Sequence, residues 1–265
     1  MPENVTKKTV LVTGASSGIG SELSRLFAQD GYNLVLTARS EDKLYALKAE
    51  LEEKYNIFIK VIVKDLGFPN APVELYEEIK KEKIRINVLV NNAGFAVYGD
   101  FLETSTADEM EMLQVNVSAL TYFTKVYAKE MSENGGGKIL NVASLAAFQP
   151  GPLMAVYYAS KAYVLHFSEA IHSEFKKYNI IVSALCPGPT KTNFQFRAQV
   201  QDTPLFIKGR GMDAETVAKI GYNGLKQGKT VIIPGFNNKI LSIGSKFFPH
   251  KLTAGFVKNL HQPKA

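Results

Sequence analysis

Cysteine occurs once in this 265-residue chain and histidine four times, and no run of eighteen apolar residues exists. A lone Cys186 excludes an internal disulfide and suits a reducing compartment. It closes the apolar stretch Ile180-Ile181-Val182-Ser183-Ala184-Leu185, so it reads as a buried thiol at a strand end. His166 and His172 are six residues apart, off a common helical face, and make a poor zinc pair; no metal is expected. Without a long apolar run no membrane-spanning helix is expected. A strand already legible at Thr9–Thr13 leaves no room for a signal peptide, and the expectation is a soluble, cytoplasmic protein. The net charge of +6 is modest, with scattered lysines in place of the basic stripe that nucleic acid requires.

Two catalytic signatures are also missing. Val142-Ala143-Ser144-Leu145-Ala146 lacks the flanking glycines of an acyl-transfer serine elbow. Gly228-Lys229-Thr230 resembles the end of a phosphate loop, but the required earlier glycine is Asn223, and the tract enters a strand instead of a helix.

What is present is apolar runs alternating with helical stripes. Hydrophobic residues make up 46% of the chain, enough for one large core, and α/β chains of this length are routinely one domain. Strands are expected at Thr9–Thr13, Leu34–Leu36, Phe58–Val63, Val88–Val90, Lys138–Val142, Ile180–Leu185 and Thr230–Ile233. Between them, apolar residues recur at helical spacing: Leu23, Leu26 and Phe27, then Leu44, Leu47 and Leu51, then Leu75 and Ile79. One long helix is expected through Met110, Leu113, Val117, Leu120, Thr124, Tyr127 and Met131, another from Met154 to Tyr178, and a third capped by Asp213. Strands buried on both faces and joined by helical crossovers imply a Rossmann-like, doubly wound parallel sheet of seven strands with helices on both faces.

Thr13-Gly14-Ala15-Ser16-Ser17-Gly18-Ile19-Gly20 follows the first strand and opens a helix. Glycines let the backbone approach a pyrophosphate there, Ser16 and Ser17 offer hydroxyls, and the helix N-terminus supplies oriented amides. The spacing is wider than the GxGxxG fingerprint. At the end of the second strand, where an acid would hold the ribose of NAD, the chain reads Thr37-Ala38-Arg39. An arginine there pairs with the 2′-phosphate of NADP. Asp65, after the third strand, either accepts from the adenine amine or caps the next helix. Asn91-Asn92-Ala93-Gly94 follows the fourth strand, on the edge where ligands gather.

Tyr157 and Lys161 stand four residues apart, hence on one helical face, with Ser144 thirteen residues upstream. A cation so placed is expected to draw the phenol pKa down from about 10. Tyr158 lacks that relation to Lys161.

These motifs, with Asn116 and Pro187-Gly188, resemble the classical short-chain dehydrogenase/reductase family in its NADP-preferring branch, over residues 8 to 233. The resemblance implies an NADP(H)-dependent oxidoreductase interconverting a carbonyl and an alcohol. Ser144 would bond the carbonyl oxygen and Tyr157 supply the proton. Lys161 would lower the phenol pKa and hold the ribose, and Asn116 position a water. The implied cofactor site comprises Gly14, Ser16, Ser17, Gly18, Ile19, Gly20, Arg39, Asp65, Leu66, Asn92, Ala93, Gly94, Tyr157, Lys161, Pro187, Gly188 and Thr190. Pro189 departs from the family pattern, where an aliphatic residue is common. The rival reading is a noncatalytic NADP-binding sensor or scaffold on the same fold.

Phe194, Phe196, Val200, Leu205 and Phe206, in a substrate loop at 190–212, suggest an apolar pocket cover; Phe95, Tyr98, Phe148 and Leu153 are candidates for the same cleft. The substrate is therefore expected to be hydrophobic. The domain is read as 1–235, with 236–265 as an extension of two basic amphipathic segments bent at Pro249. These are expected to pack over the cleft or on a neighbouring subunit, membrane contact being the lesser alternative. Apolar positions around the two long helices, such as Tyr122, Phe123 and Phe167, imply a homodimer or homotetramer.

Overall fold

The strands of the computed structural model, which describes residues 7–192, 194, 211–244 and 248–262, are β1 (Thr9–Thr13), β2 (Asn33–Ala38), β3 (Ile59–Val63), β4 (Val88–Asn91), β5 (Gly137–Val142), β6 (Ile180–Leu185), β7 (Thr190–Lys191), β8 (Met212–Asp213) and β9 (Val231–Ile232). The helices among these residues are α1 (Gly18–Gln29), α2 (Glu41–Lys54), α3 (Ala71–Lys81), α4 (Thr106–Leu113), α5 (Leu120–Glu133), α6 (Ala155–Phe175), α7 (Ala214–Lys226), α8 (Phe236–Gly244) and α9 (His250–His261). Phe196, Val200, Leu205 and Phe206 of the expected pocket cover lie outside the described residues.

Seven strands form one sheet in the order β3-β2-β1-β4-β5-β6-β9, every pair parallel. The strands β1, β2 and β4 are buried nearly throughout because helices cover both faces. On one face Leu23 and Phe27 of α1, Leu44, Leu47 and Leu51 of α2, and Tyr222 of α7 pack together. On the other, Leu75 and Ile79 of α3 meet Phe123, Tyr127 and Met131 of α5. Each such fully buried side chain contributes about 1.5–3 kcal/mol. Strand order reverses between β1 and β4, which opens a crevice at their carboxyl ends.

Two features differ from the sequence expectation. The helix expected through Met110 to Met131 is interrupted by a π-turn at Gln114–Ala119. The wider turn rotates the preceding segment, so Glu109 and Met112 are buried while Met110 is 54% exposed. Such turns recur where a helix must aim a side chain at a site; this one carries Asn116. In addition, β7 and β8 form a separate parallel pair, Thr190 opposite Met212. No apolar run marks either of them.

Candidate active site

The turn after β1 is shaped by what its glycines lack. Gly14 (φ +65°) and Gly18 (φ +59°) occupy the left-handed region, which L side chains rarely adopt. A Cβ on Gly20 would fall 2.3 Å from the Gly14 carbonyl oxygen and 2.5 Å from Asn92 Nδ2. The turn therefore lies flat against the segment after β4. Asn92 Nδ2 donates to the carbonyls of Thr13 (2.9 Å) and Gly14 (3.1 Å), and Thr13 Oγ1 accepts from the amides of Asn92 and Ala93, both at 3.0 Å. Asn92 thus braces the turn. Thr13, quoted only as part of the motif, is its clamp. Ser17 sits at the N-cap of α1 without a capping bond from its side chain.

From this turn a cavity of about 940 Å³ runs past Ala93 and Gly94 to Ser144, Tyr157 and Lys161. A side-chain-free turn at a helix N-terminus, continuous with a space of this size, fits an extended dinucleotide. Gly14, Ser16, Ile19, Leu66, Pro187, Gly188 and Thr190 line the same cavity.

At the end of the cavity beside β2 and β3, Arg39 Nη1 lies 3.7 Å from Asp65 Oδ2 and 3.9 Å from Glu111 Oε1. Asp65 Oδ1 also accepts from the Gly67 amide at 3.0 Å. It is not the cap of α3, whose N-cap is Asn70. Lys43, Lys64 and Glu111 line this end and were not singled out from the sequence. Lys43 had a signal, lying four residues after Arg39 in the first turn of α2; Glu111 had none.

At the other end the catalytic candidates converge. Lys161 Nζ donates to the Val142 carbonyl at 2.9 Å and lies 5.8 Å from the Tyr157 ring centroid. Asn116 holds both backbone groups of Phe95 (Nδ2 to the carbonyl, 2.9 Å; amide to Oδ1, 3.1 Å) and donates to Ser160 Oγ at 3.1 Å. A Cβ on Gly94 would fall 3.0 Å from Asn116 Oδ1 and 3.3 Å from Lys161 Nζ, so a glycine there keeps the gap between them open. Ser144 caps the 3₁₀ turn Leu145–Phe148, its Oγ accepting from the Ala146 amide at 3.1 Å. The Leu145 amide is tied to the Pro187 carbonyl at 2.8 Å.

Burial dominates the electrostatics of Tyr157 and Lys161. Burial pushes the Tyr157 phenol up to about 12, against the downward pull of its hydrogen bond with Ser144. Burial also pushes Lys161 down to about 8. The Lys161 ammonium is held by the Val142 carbonyl, 5.8 Å from the Tyr157 ring centroid. The phenol therefore keeps its proton at neutral pH, as a proton donor requires. Burial likewise holds the Cys186 thiol protonated, near 12.

The cavity wall beyond Tyr157 is apolar. Phe95, Phe148, Met154 and Phe194 line it, with Leu241, Leu252, Phe256 and Leu260 from α8 and α9. Phe194 stands 5.5 Å from the Tyr157 ring. Tyr98 and Leu153 do not line it: the Tyr98 hydroxyl donates to the His261 carbonyl and the Leu153 carbonyl accepts from Gly99. Tyr158 is engaged by His261. No helix among the described residues is long and apolar enough to cross a membrane.

Comparison with known proteins gives the family and the fold. The short chain dehydrogenase family model matches residues 8–202. The very-long-chain 3-oxoacyl-CoA reductase of Rattus norvegicus is 32% identical over 260 residues, covering 94% of this chain and 80% of the relative. The reductase of that name from Anas platyrhynchos is 36% identical over 183 residues, and the match spans only 58% of its length. Among solved structures, a short-chain dehydrogenase from Sphingobium yanoikuyae in complex with NADPH superposes with a TM-score of 0.81 at 29% identity, over 97% of this chain and 98% of that one.

Proposed function

Because the chain belongs to the short chain dehydrogenase family and is an oxidoreductase of that family, we propose that it interconverts an apolar ketone or aldehyde and its alcohol with NADP(H). The observation that carries this reading is the grouping of half-buried Ser144 with buried Tyr157 and Lys161 on the floor of a cavity whose outer wall is apolar. Bound NADPH would supply the hydride to the carbonyl carbon. Ser144 Oγ bonds the carbonyl oxygen and orients it. Tyr157 gives that oxygen its phenolic proton, and in the oxidative direction takes it back. Lys161 stabilises the phenolate left behind, and Asn116 holds the backbone beside Lys161 so that a proton path to solvent stays open.

NADPH is favoured over NADH by residue chemistry. The end of β2 reads Thr37-Ala38-Arg39 with no carboxylate, and Arg39 is accompanied by Lys43 and Lys64 on the cavity wall, a cluster suited to a 2′-phosphate. The Sphingobium structure holding NADPH is in keeping with this. So is the name of the rat relative, which specifies a very-long-chain 3-oxoacyl substrate, with an apolar cavity. Homodimerisation or tetramerisation through α4, α5 and α6 completes the proposal, since Met110 and Tyr163 leave apolar surface there.

The test is NADPH consumption against a panel of ketones and aldehydes of graded size, with NADH in parallel. Turnover of apolar carbonyls with NADPH is expected. Binding of NADPH with no turnover of any carbonyl would make the protein a noncatalytic sensor or scaffold instead.

A further inference from the structure

His261, at the end of α9, is 1% exposed and joins parts of the chain far apart in sequence. Its Nδ1 lies 3.0 Å from the Pro152 carbonyl oxygen and its Nε2 lies 3.1 Å from the Tyr158 hydroxyl. Its own carbonyl accepts from the Tyr98 hydroxyl at 2.7 Å. A carbonyl only accepts, so Nδ1 carries the proton and Nε2 accepts from Tyr158. The two rings also meet edge-on at 5.5 Å. The Pro152 segment is itself fixed, since a Cβ on Gly151 would fall 2.2 Å from the Tyr158 ring, and Gly99 donates to the Leu153 carbonyl at 2.9 Å.

This anchor governs a wall of the cavity. Along α9, Leu252, Phe256 and Leu260 line the cavity beyond Tyr157. Leu252 and Phe256 are 64% and 60% exposed and so bury little area to hold the helix down. Among the described residues of this helix, Val257 joins the hydrophobic core, one turn before His261. Val257 and the His261 bonds to Tyr98, Pro152 and Tyr158 are the buried ties described for this helix. Tyr158, which receives the anchor, neighbours Tyr157 on α6. The wall is thereby referenced directly to the reacting centre.

We propose that His261 is a specificity-determining positioning residue: by bonding Pro152, Tyr158 and Tyr98 it fixes α9 as the wall against which the bulk of an apolar carbonyl substrate is measured. This rests on the carbonyl-reducing function proposed above. It acts through Leu252, Phe256 and Leu260 and touches no reacting atom.

The test compares His261→Ala, His261→Asn and Tyr98→Phe in the full chain, with one small and one bulky apolar ketone and hydrogen exchange of the α9 amides. In His261→Ala the KM for the bulky ketone is expected to rise about tenfold, with kcat and the small-ketone KM changed less than about threefold. His261→Asn, whose amide can still donate to Pro152, recovers part of the loss. Tyr98→Phe, which removes one hydroxyl and keeps the ring, shifts KM the same way by less and serves if His261→Ala does not fold. Faster exchange across 250–261 accompanies each loss. Equal KM shifts for both ketones, or faster exchange with unchanged KM, would overturn the assignment. If the wild type turns over no carbonyl, the functional proposal fails by itself. Exchange then judges the anchor, and undiminished protection of 250–261 in His261→Ala refutes it.

Discussion

The Lys161 ammonium donates a hydrogen bond to the Val142 carbonyl at 2.9 Å while standing 5.8 Å from the ring centroid of Tyr157. Both side chains are buried, and burial moves them in opposite directions, the phenol up to about 12 and the ammonium down to about 8. Near neutrality Tyr157 is protonated and Lys161 still charged. As pH rises through about 8, Lys161 loses its proton first, and a phenolate formed by the proposed proton donation would lose its counter-charge. We expect kcat/KM for carbonyl reduction to fall with that apparent pKa and Lys161→Met to abolish most activity. A profile still flat well above that pH would refute the assignment.

Arg39 is shared by Asp65 and Glu111. Arg39→Ala should weaken NADPH about tenfold or more and NADH hardly at all, a charge-assisted pair being worth about 1.5–3 kcal/mol. Glu111→Gln should do the reverse, tightening NADPH by removing a carboxylate that competes for the guanidinium. Equal effects on both cofactors in titration would remove Arg39 and Glu111 from cofactor discrimination.

Much of this was legible from residues alone. The buried strands read directly because a parallel sheet covered on both faces needs continuous apolar runs such as Val10-Leu11-Val12. The glycine turn and the Tyr157–Lys161 spacing read because both are local relations. The π-turn did not, since one added residue leaves an i+3, i+4 stripe superficially intact; the burial of Glu109 and Met112 in place of Met110 reveals it. Glu111 reaches Arg39 across the cavity from α4, and His261 reaches Tyr158 across 103 residues. Contacts of that kind arise from topology and leave no periodic trace.

Gly20→Ala tests the turn itself. Its new Cβ would meet the Gly14 carbonyl oxygen at 2.3 Å, and backbone there has little room to yield. A stability loss of about 1–3 kcal/mol is expected, with a larger proportional loss in NADPH affinity. Wild-type affinity in this variant would show that close approach at the turn is unnecessary.

The oligomer is tested by light scattering at micromolar concentration, where a dimer or tetramer is expected. A charge introduced by Tyr163→Glu, on α6 and 40% exposed, should shift it toward monomer. A wild-type monomer would count against an interface on α4–α6.

The most direct test of the account is Tyr157→Phe assayed with NADPH deuterated at the transferable position. In the wild type the alcohol product should carry one deuterium on the former carbonyl carbon. The variant, which loses its proton donor and no phosphate contact, should bind NADPH with unchanged affinity and form almost no product. A variant retaining a tenth of wild-type kcat, or wild-type product without the deuterium, would contradict hydride transfer coupled to proton donation by Tyr157.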